Sequence, residues 1–318
     1  MLGDKIKSYR ESLKLTQNEV AEALEVSTAT ISKYESGILE PNIASLKKLA
    51  SLFDILIDEL LNDKDGFDVS NINVLDILRE QKEMQLKGNL YHQTQISFAY
   101  NTNHIEGSTL TEEQTRYIYE TNSILFEGDT IVKTDDILET LNHFMLVDYM
   151  IDYADKKLSE KVIKEFHRIL KWNTSDSKAE WFNVGEYKKR ANTIGNGIKT
   201  TSPSSVEREM SKLLDWYNSL KQISIKELIE FHYRFESIHP FQDGNGRIGR
   251  IILFKECLKN NIIPFIINDK DKLFYYRGFK EYKNKNKKSS EKDYLTDTCL
   301  NAQDQYIKMI EYYFKGRK

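Results

Sequence analysis

Twelve consecutive residues hold most of the chemistry visible in this sequence: His239-Pro240-Phe241-Gln242-Asp243-Gly244-Asn245-Gly246-Arg247-Ile248-Gly249-Arg250. His239 can serve as a general base near neutral pH. Asp243 offers the oxygen ligand that Mg²⁺ takes when it is held between a carboxylate and substrate phosphates. Gly244 and Gly246 flank Asn245, so the backbone is expected to fold tightly and turn several N–H groups toward one point. Such a nest at the head of a helix is an anion site. That helix is predicted from Arg247 through Lys259, with Ile248, Ile251, Ile252 and Phe254 as its apolar positions. Arg247 and Arg250 are three apart and lie near one face of its first turn. Two guanidiniums there suit a polyphosphate better than a single carboxylate. The combination points to nucleotide chemistry, although the chain has no P-loop of the form G-x-x-x-x-G-K-S/T.

The elements that position these residues are expected to be helices. Four prolines and 14 glycines in 318 residues are too few for a sandwich of short strands and turns. With 40% hydrophobic and 30% charged residues the chain is not wholly disordered, and its length suits two domains. A net charge of −3 announces neither a nucleic-acid nor a membrane partner. The only cysteines, Cys257 and Cys299, argue against a disulfide framework or a cysteine zinc site. No signal-like apolar run follows Met1, and no stretch reaches the ~20 apolar residues of a membrane helix, so a soluble cytoplasmic protein is expected.

Residues 1–62 read as five short helices. Thr16-Gln17-Asn18-Glu19 forms a capping box, Ser27 is a second N-cap, and Gly37 is a stop. Leu46, Leu49, Ala50 and Phe53 make a buried stripe after Pro41-Asn42, and 56–61 supplies the last piece. Two capped helices joined at Glu25-Val26 make a helix-turn-helix. A polar linker occupies 63–71. Helices follow near 89–106, 111–126, 135–155, 159–171 and 224–237, with another after Pro203. The exception is 186–200, where alternation on both sides of Gly195-Asn196-Gly197 predicts a hairpin. The basic run 283–288 reads as a solvated loop.

The segment 239–250 resembles, position by position, the H-P-F-x-D-G-N-G-R-x-x-R signature of the Fic family, and 231–238 is typical of what precedes it there. The resemblance implies a helical enzyme that transfers AMP from ATP to a Ser, Thr or Tyr hydroxyl of a target protein, and of itself. By that resemblance His239 deprotonates the acceptor and Asp243 binds Mg²⁺. The backbone around Gly244 and Gly246, with Asn245 and Arg247, holds the α- and β-phosphates, and Arg250 takes the γ-phosphate. The 186–200 hairpin matches the family's flap, on which a target segment docks as an added strand. Tyr275 and Tyr276 fall where the family often has aromatics near the adenine.

Thr102-Asn103-His104-Ile105-Glu106-Gly107 resembles the family's autoinhibitory pattern, Ser/Thr-x-x-x-Glu-Gly/Asn. Thr102 and Glu106 share a helix face, and a carboxylate presented to Arg250 would compete with the γ-phosphate. In some relatives the same glutamate activates water to remove AMP, which leaves a reverse activity open.

Leu15 to Ala21 and Ile31 to Gly37 resemble the XRE/Cro-type DNA-binding domain. The resemblance places Gln17 on a phosphate and Thr28, Ala29, Thr30 and Lys33 toward the major groove. Residues 1–62 nevertheless carry seven Lys/Arg against ten Asp/Glu, so the usual basic footprint is missing. DNA binding and a protein-interaction or homodimerisation role both stay open. The whole reads as an all-α protein: a helix-turn-helix, then a helical Fic domain (72–318, core about 158–260) with a small β-hairpin flap. The alternative function is a DNA-binding transcriptional regulator whose Fic domain modifies itself as a sensor.

Overall fold

Side-chain caps set many of the helix starts along the chain. In the computed structural model, which describes residues 2–55, 60, 69, 72–124, 131–194, 198–282 and 293–315, two units separate, Met1–Asn71 and Ile72–Lys318. The first contains α1 (Leu2–Ser12), α2 (Gln17–Leu24), α3 (Thr28–Glu35) and α4 (Ile43–Phe53). Thr16 and Glu19 satisfy each other's backbone N–H groups at the start of α2, and Ser27 and Asn42 cap the next two helices. Ile6, Val20, Leu24, Ile31, Leu49 and Phe53 form the core between them. Beside it lies an ion pair that no periodicity announces. Arg10 Nε donates to Glu35 Oε1 at 2.6 Å, and Gln17 donates to the same carboxylate at 2.8 Å.

The second unit comprises α5 (Val74–Met84), α6 (Leu90–Ile105), α7 (Glu112–Thr121), α8 (Thr134–Asp152), α9 (Glu160–Leu170), α10 (Pro203–Ser219), α11 (Ile225–Ile238), α12 (Asn245–Lys259), α13 (Lys272–Glu281) and α14 (Tyr294–Lys315). The all-α expectation holds. Among the described residues the only sheet is β1 (Thr193–Ile194) paired antiparallel with β2 (Ile198–Lys199), Thr193 facing Lys199. α12 is the axis of the unit, packed against α5, α6, α8, α9 and α11 and buried on every side. A helix surrounded in this way needs apolar residues around its whole circumference, which Ile248, Ile251, Ile252, Phe254, Cys257 and Leu258 supply.

Two differences from the sequence reading have local causes. α12 begins at Asn245, two residues before the expected start, because Gly244 alone makes the left-handed turn (φ 80°) and Gly246 is already helical. α7 stops at Thr121, because Asn122 adopts φ 52° as its left-handed cap. The expected helix at 56–61, the linker 63–71, the hairpin turn 195–197 and the basic run 283–288 lie outside the described residues, Leu60 and Val69 excepted. Both cysteines are buried and free. No helix among the described residues is long and apolar enough to cross a membrane.

Candidate active site

The loop between α11 and α12 is held rigid from inside. His239 closes α11 in the left-handed region (φ 53°, ψ 63°), its N–H donating to Phe235 O at 2.9 Å. A side-chain-bearing residue stays there only when its surroundings over-determine it. Asn245 supplies one constraint: Phe241 N–H donates to its Oδ1 at 2.7 Å, and its Nδ2 donates to Phe241 O at 2.9 Å. Both ends of that side chain are therefore spent on the loop, so Asn245 can meet an anion only through its main-chain N–H. His167 of α9 supplies another. It stacks on Phe241 (centroids 4.0 Å apart, planes 2° apart), accepts Gly185 N–H on Nδ1 at 2.8 Å, and so donates Nε2–H to Asp243 O at 3.1 Å. Burial holds its pKa near 3, so the ring is neutral. Asn245→Ala is expected to destabilise the protein by roughly 1–3 kcal/mol, because the Phe241 N–H is left buried and unpaired, while Phe241 O keeps the amide of Asn192. Calorimetry checks this; an unchanged melting midpoint would mean that the loop does not depend on Asn245.

Charge is concentrated around the first turn of α12. Arg247 is buried, pairs with Glu139 of α8, and reaches Asp243 Oδ2 at 3.2 Å. Lys171, also buried, contacts Asp243 Oδ2 at 2.7 Å, Glu139 at 2.6 Å and Asp176 at 3.2 Å. Burial alone would raise the Asp243 pKa, but Arg247, Lys171 and the Gly244 N–H hold it well below the usual carboxylate range. Half of the Asp243 side chain faces solvent. The site thus presents an ionised carboxylate anchored by one oxygen.

Arg250 is occupied by the end of α6. Its Nε donates to Thr102 Oγ1 at 2.6 Å and its Nη2 to Thr102 O at 3.1 Å and Glu106 Oε1 at 2.6 Å. Gly246 makes room for this carboxylate, since a Cβ there would collide with Glu106 Oε1. Gly107 follows with φ 100° and ends the helix. Tyr276 is half-exposed and its hydroxyl donates to Ile105 O at 3.3 Å, which puts it beside the same helix end. Tyr275 is buried behind Arg250, whose guanidinium carbon lies 6.0 Å from its ring centre, with its hydroxyl 2.5 Å from His232 Nε2.

His239 Nδ1 lies 3.8 Å from Glu236 Oε2. Burial pushes Glu236 up to about 8, despite Arg250, so that carboxyl is mostly protonated at neutral pH. His239 is lowered to about 4, first by burial and then by the charge of Lys188, with Glu106 and Asp243 acting in the opposite sense. Its imidazole is therefore neutral and available as a proton acceptor at physiological pH.

The structure thus gathers His239, Asp243, Gly244, Asn245, Gly246, Arg247, Arg250, Thr102 and Glu106 into one site. Glu139, Lys171, His167 and Glu236 belong to it as well and carry no local sequence signal. The other expected contacts lie in the first unit. Thr28, Ala29 and Lys33 are exposed along α3. Thr30 is committed to Ser27 (Oγ–Oγ1 2.8 Å) and Gln17 to Glu35.

Residues 157–256 match the Fic/DOC family and residues 6–60 a helix-turn-helix family. A protein adenylyltransferase Fic of Nematostella vectensis is 27% identical over 272 residues, covering 84% of this chain and 60% of that protein. A probable protein adenylyltransferase of Aquifex aeolicus is 28% identical over 171 residues, 51% of this chain and 52% of that protein. The chain therefore spans about half the length of the curated relatives it matches. Among solved structures, a Fic domain-containing signaling protein from Bacteroides thetaiotaomicron superposes with a TM-score of 0.59 at 23% identity, over 77% of this chain and 96% of that one. Over 157–256 the chain is thus similar to the Fic/DOC family, and over 6–60 to a helix-turn-helix family.

Proposed function

We propose that this chain is a protein adenylyltransferase, transferring AMP from ATP to a Ser, Thr or Tyr hydroxyl of a target protein and of its own chain. One observation carries the reading: a single helix start collects a neutral histidine, an ionised carboxylate and two buried arginines. His239 takes the acceptor proton, the acceptor oxygen attacks the α-phosphorus, and pyrophosphate leaves. The N–H groups at the head of α12 and the Arg247 guanidinium hold the α- and β-phosphates, and Arg250 holds the γ-phosphate. Positioning and charge stabilisation do the remainder, with no covalent enzyme intermediate. Asp243 is the residue that would hold Mg²⁺, and an ionised, half-exposed carboxylate fits that ion. Among the described residues no group of three acidic, His or Cys side chains could hold a metal unaided, so phosphates and water complete the shell. Mg²⁺, when bound, neutralises charge between the phosphates.

Glu106 is proposed to hold this activity down, because its carboxylate occupies the guanidinium assigned to the γ-phosphate. Intact-mass spectrometry of the protein and of Glu106→Gly, incubated with Mg²⁺ and each nucleoside triphosphate in turn, tests the reading. Addition of AMP from ATP supports it; no adduct on either protein or on a cell lysate overturns it.

The helix-turn-helix domain is proposed to bind DNA through the exposed Thr28, Ala29 and Lys33. Affinity is then expected to fall steeply with salt, since phosphate contacts release counterions, and Lys33→Glu is expected to weaken binding. A dimer would place its half-sites about 34–36 Å apart. Gel-shift titration against DNA upstream of the protein's own coding sequence checks this. Absence of a shift at low salt and micromolar protein would favour an interaction or dimerisation module.

A further inference from the structure

Lys188 carries a charge that the fold has gone to some length to bury. The residue is 3% exposed, and among the described residues no carboxylate pairs with it. Its ammonium is satisfied by neutral oxygens alone: Asn192 Oδ1 at 2.7 Å, Thr200 Oγ1 at 2.6 Å and Ile238 O at 3.5 Å. A buried ammonium with only neutral acceptors is costly, so something other than stability has to account for its place.

Its acceptors indicate what that is. Asn192 stands immediately before β1 and Thr200 immediately after β2; the Thr200 hydroxyl donates to Asn192 O and Oδ1, and the ammonium binds both side chains at this junction and fastens it to α11. The third acceptor, Ile238, is the last residue of α11 and the neighbour of His239. Main-chain and amide contacts continue the seam: Lys188 N–H donates to Pro240 O at 2.9 Å, and Asn192 Nδ2 to Phe241 O at 3.0 Å and Gln242 O at 3.3 Å. The hairpin and the loop that begins at His239 are thereby fastened along 238–242.

We propose that Lys188 is a positioning residue for the transfer reaction, an ammonium clasp that sets the hairpin on which the acceptor segment lies at a fixed distance from His239. The inference rests on the adenylyltransferase reading, in which the hairpin receives the acceptor. Lysine suits the position because three rotatable N–H donors can meet three acceptors on three different segments. The same charge faces His239 and favours its neutral form, while Glu106 and Asp243 favour the protonated one and Glu236 accepts a backbone contact at the ring's own helix.

The test uses the full chain carrying Glu106→Gly, so that the carboxylate on Arg250 does not mask rates. Lys188→Met keeps the stem and removes the donors. Acceptor-directed kcat/KM is expected to fall about tenfold or more, the size of losing one charge-assisted hydrogen bond. ATP affinity is expected to stay within about twofold of the Glu106→Gly parent, because no phosphate-binding group has changed. Lys188→Arg is expected to recover a substantial part of the loss. Independently of any activity, amide exchange at 193, 194, 198, 199, 239, 241 and 242 is expected to quicken in Lys188→Met. The His239 ring, followed by NMR in metal-free protein, should titrate higher in that variant. Should Lys188→Met fold poorly, Thr200→Val removes one acceptor together with that hydroxyl's own bonds to Asn192, keeps the ammonium, and is expected to give the transfer and exchange changes in smaller degree while leaving the His239 titration near the parent's. Parent-like transfer and exchange in Lys188→Met, or in Thr200→Val if that variant replaces it, overturns the clasp. An equal loss of ATP affinity and transfer would overturn it too, since that is general damage. A parent enzyme that transfers no nucleotide at all counts against the adenylyltransferase reading, and the exchange and titration results then decide the clasp separately.

Discussion

Alanine in place of His239 is expected to lower AMP transfer about 10²–10⁴-fold, the usual worth of a positioned general base. ATP binding should be nearly unaffected, because in the proposed reaction the imidazole acts on the acceptor hydroxyl and the phosphates are assigned to α12 and its arginines. The loss should therefore appear in kcat, with little change in a directly measured ATP dissociation constant. The pH dependence gives a second reading. An ordinary histidine protonates around pH 6.5 and would cost the enzyme its base on the acid side of neutrality. Here burial and the Lys188 charge lower His239 to about 4, so the base stays unprotonated as pH falls from 8 to 6. The transfer rate should accordingly be flat between about pH 7 and 6, above which Lys188, lowered by burial to about 8, begins to lose the charge that fastens the hairpin. A His239→Ala protein transferring AMP near the wild-type rate would remove the imidazole from the mechanism.

Glu106→Gly is expected to raise adenylylation roughly 5–150-fold, the range that a regulatory coupling of about 1–3 kcal/mol produces. The geometry explains the direction. Arg250 is buried, and its guanidinium is shared between Thr102 and the Glu106 carboxylate, 2.6 Å away. A γ-phosphate that needs the same donors must displace a charge already in place. Gly246 indicates how closely that carboxylate sits over the phosphate-binding turn, since even one methyl group there would strike it. Removing the carboxylate frees Arg250 and the space above Gly246 together. ATP need not bind more tightly, because the glutamate redirects the phosphates as much as it excludes them. Arg250→Ala added to Glu106→Gly should erase most of the gain, and a double-mutant cycle should be strongly non-additive, as contact requires. Self-modification and lysate labelling are the assays; unchanged labelling in Glu106→Gly would reduce 102–107 to an ordinary helix end.

Much of this protein is legible along the chain because its cues are local. Capping boxes at Thr16, Thr111 and Ser224 mark helix starts from four residues each. The string 239–250 contains base, carboxylate, turn and arginines in sequence, and a tight turn feeding one helix is enough to bring them together. Thr102 and Glu106 share a face by spacing alone. Where local cues misled, the cause was also local: two glycines implied a tight turn lasting to Arg247, yet only Gly244 takes a positive φ, the helix starts at Asn245, and Gly246 serves as space for a carboxylate.

The tertiary structure decided what surrounds that string. Asn245 also binds the loop itself, its side-chain amide exchanging two hydrogen bonds with the Phe241 backbone. Lys171 is buried against Asp243, Glu139 joins Lys171 to Arg247, and Lys188 is buried against the end of α11, although in a sequence they cannot be told from the many charges that simply face water. Their partners lie tens of residues or more away in the chain: Lys171 to Asp243, Glu139 to Arg247, Lys188 to Ile238. No periodicity or spacing rule links such positions, because burial of a charge is settled by which helices happen to pack around it. The sequence by itself determined the reactive groups and the helix that presents them. Only packing decided which charges stand around those groups, and through them the protonation states of His239 and Asp243, because a pKa is set by the neighbours and the loss of water that the folded chain imposes.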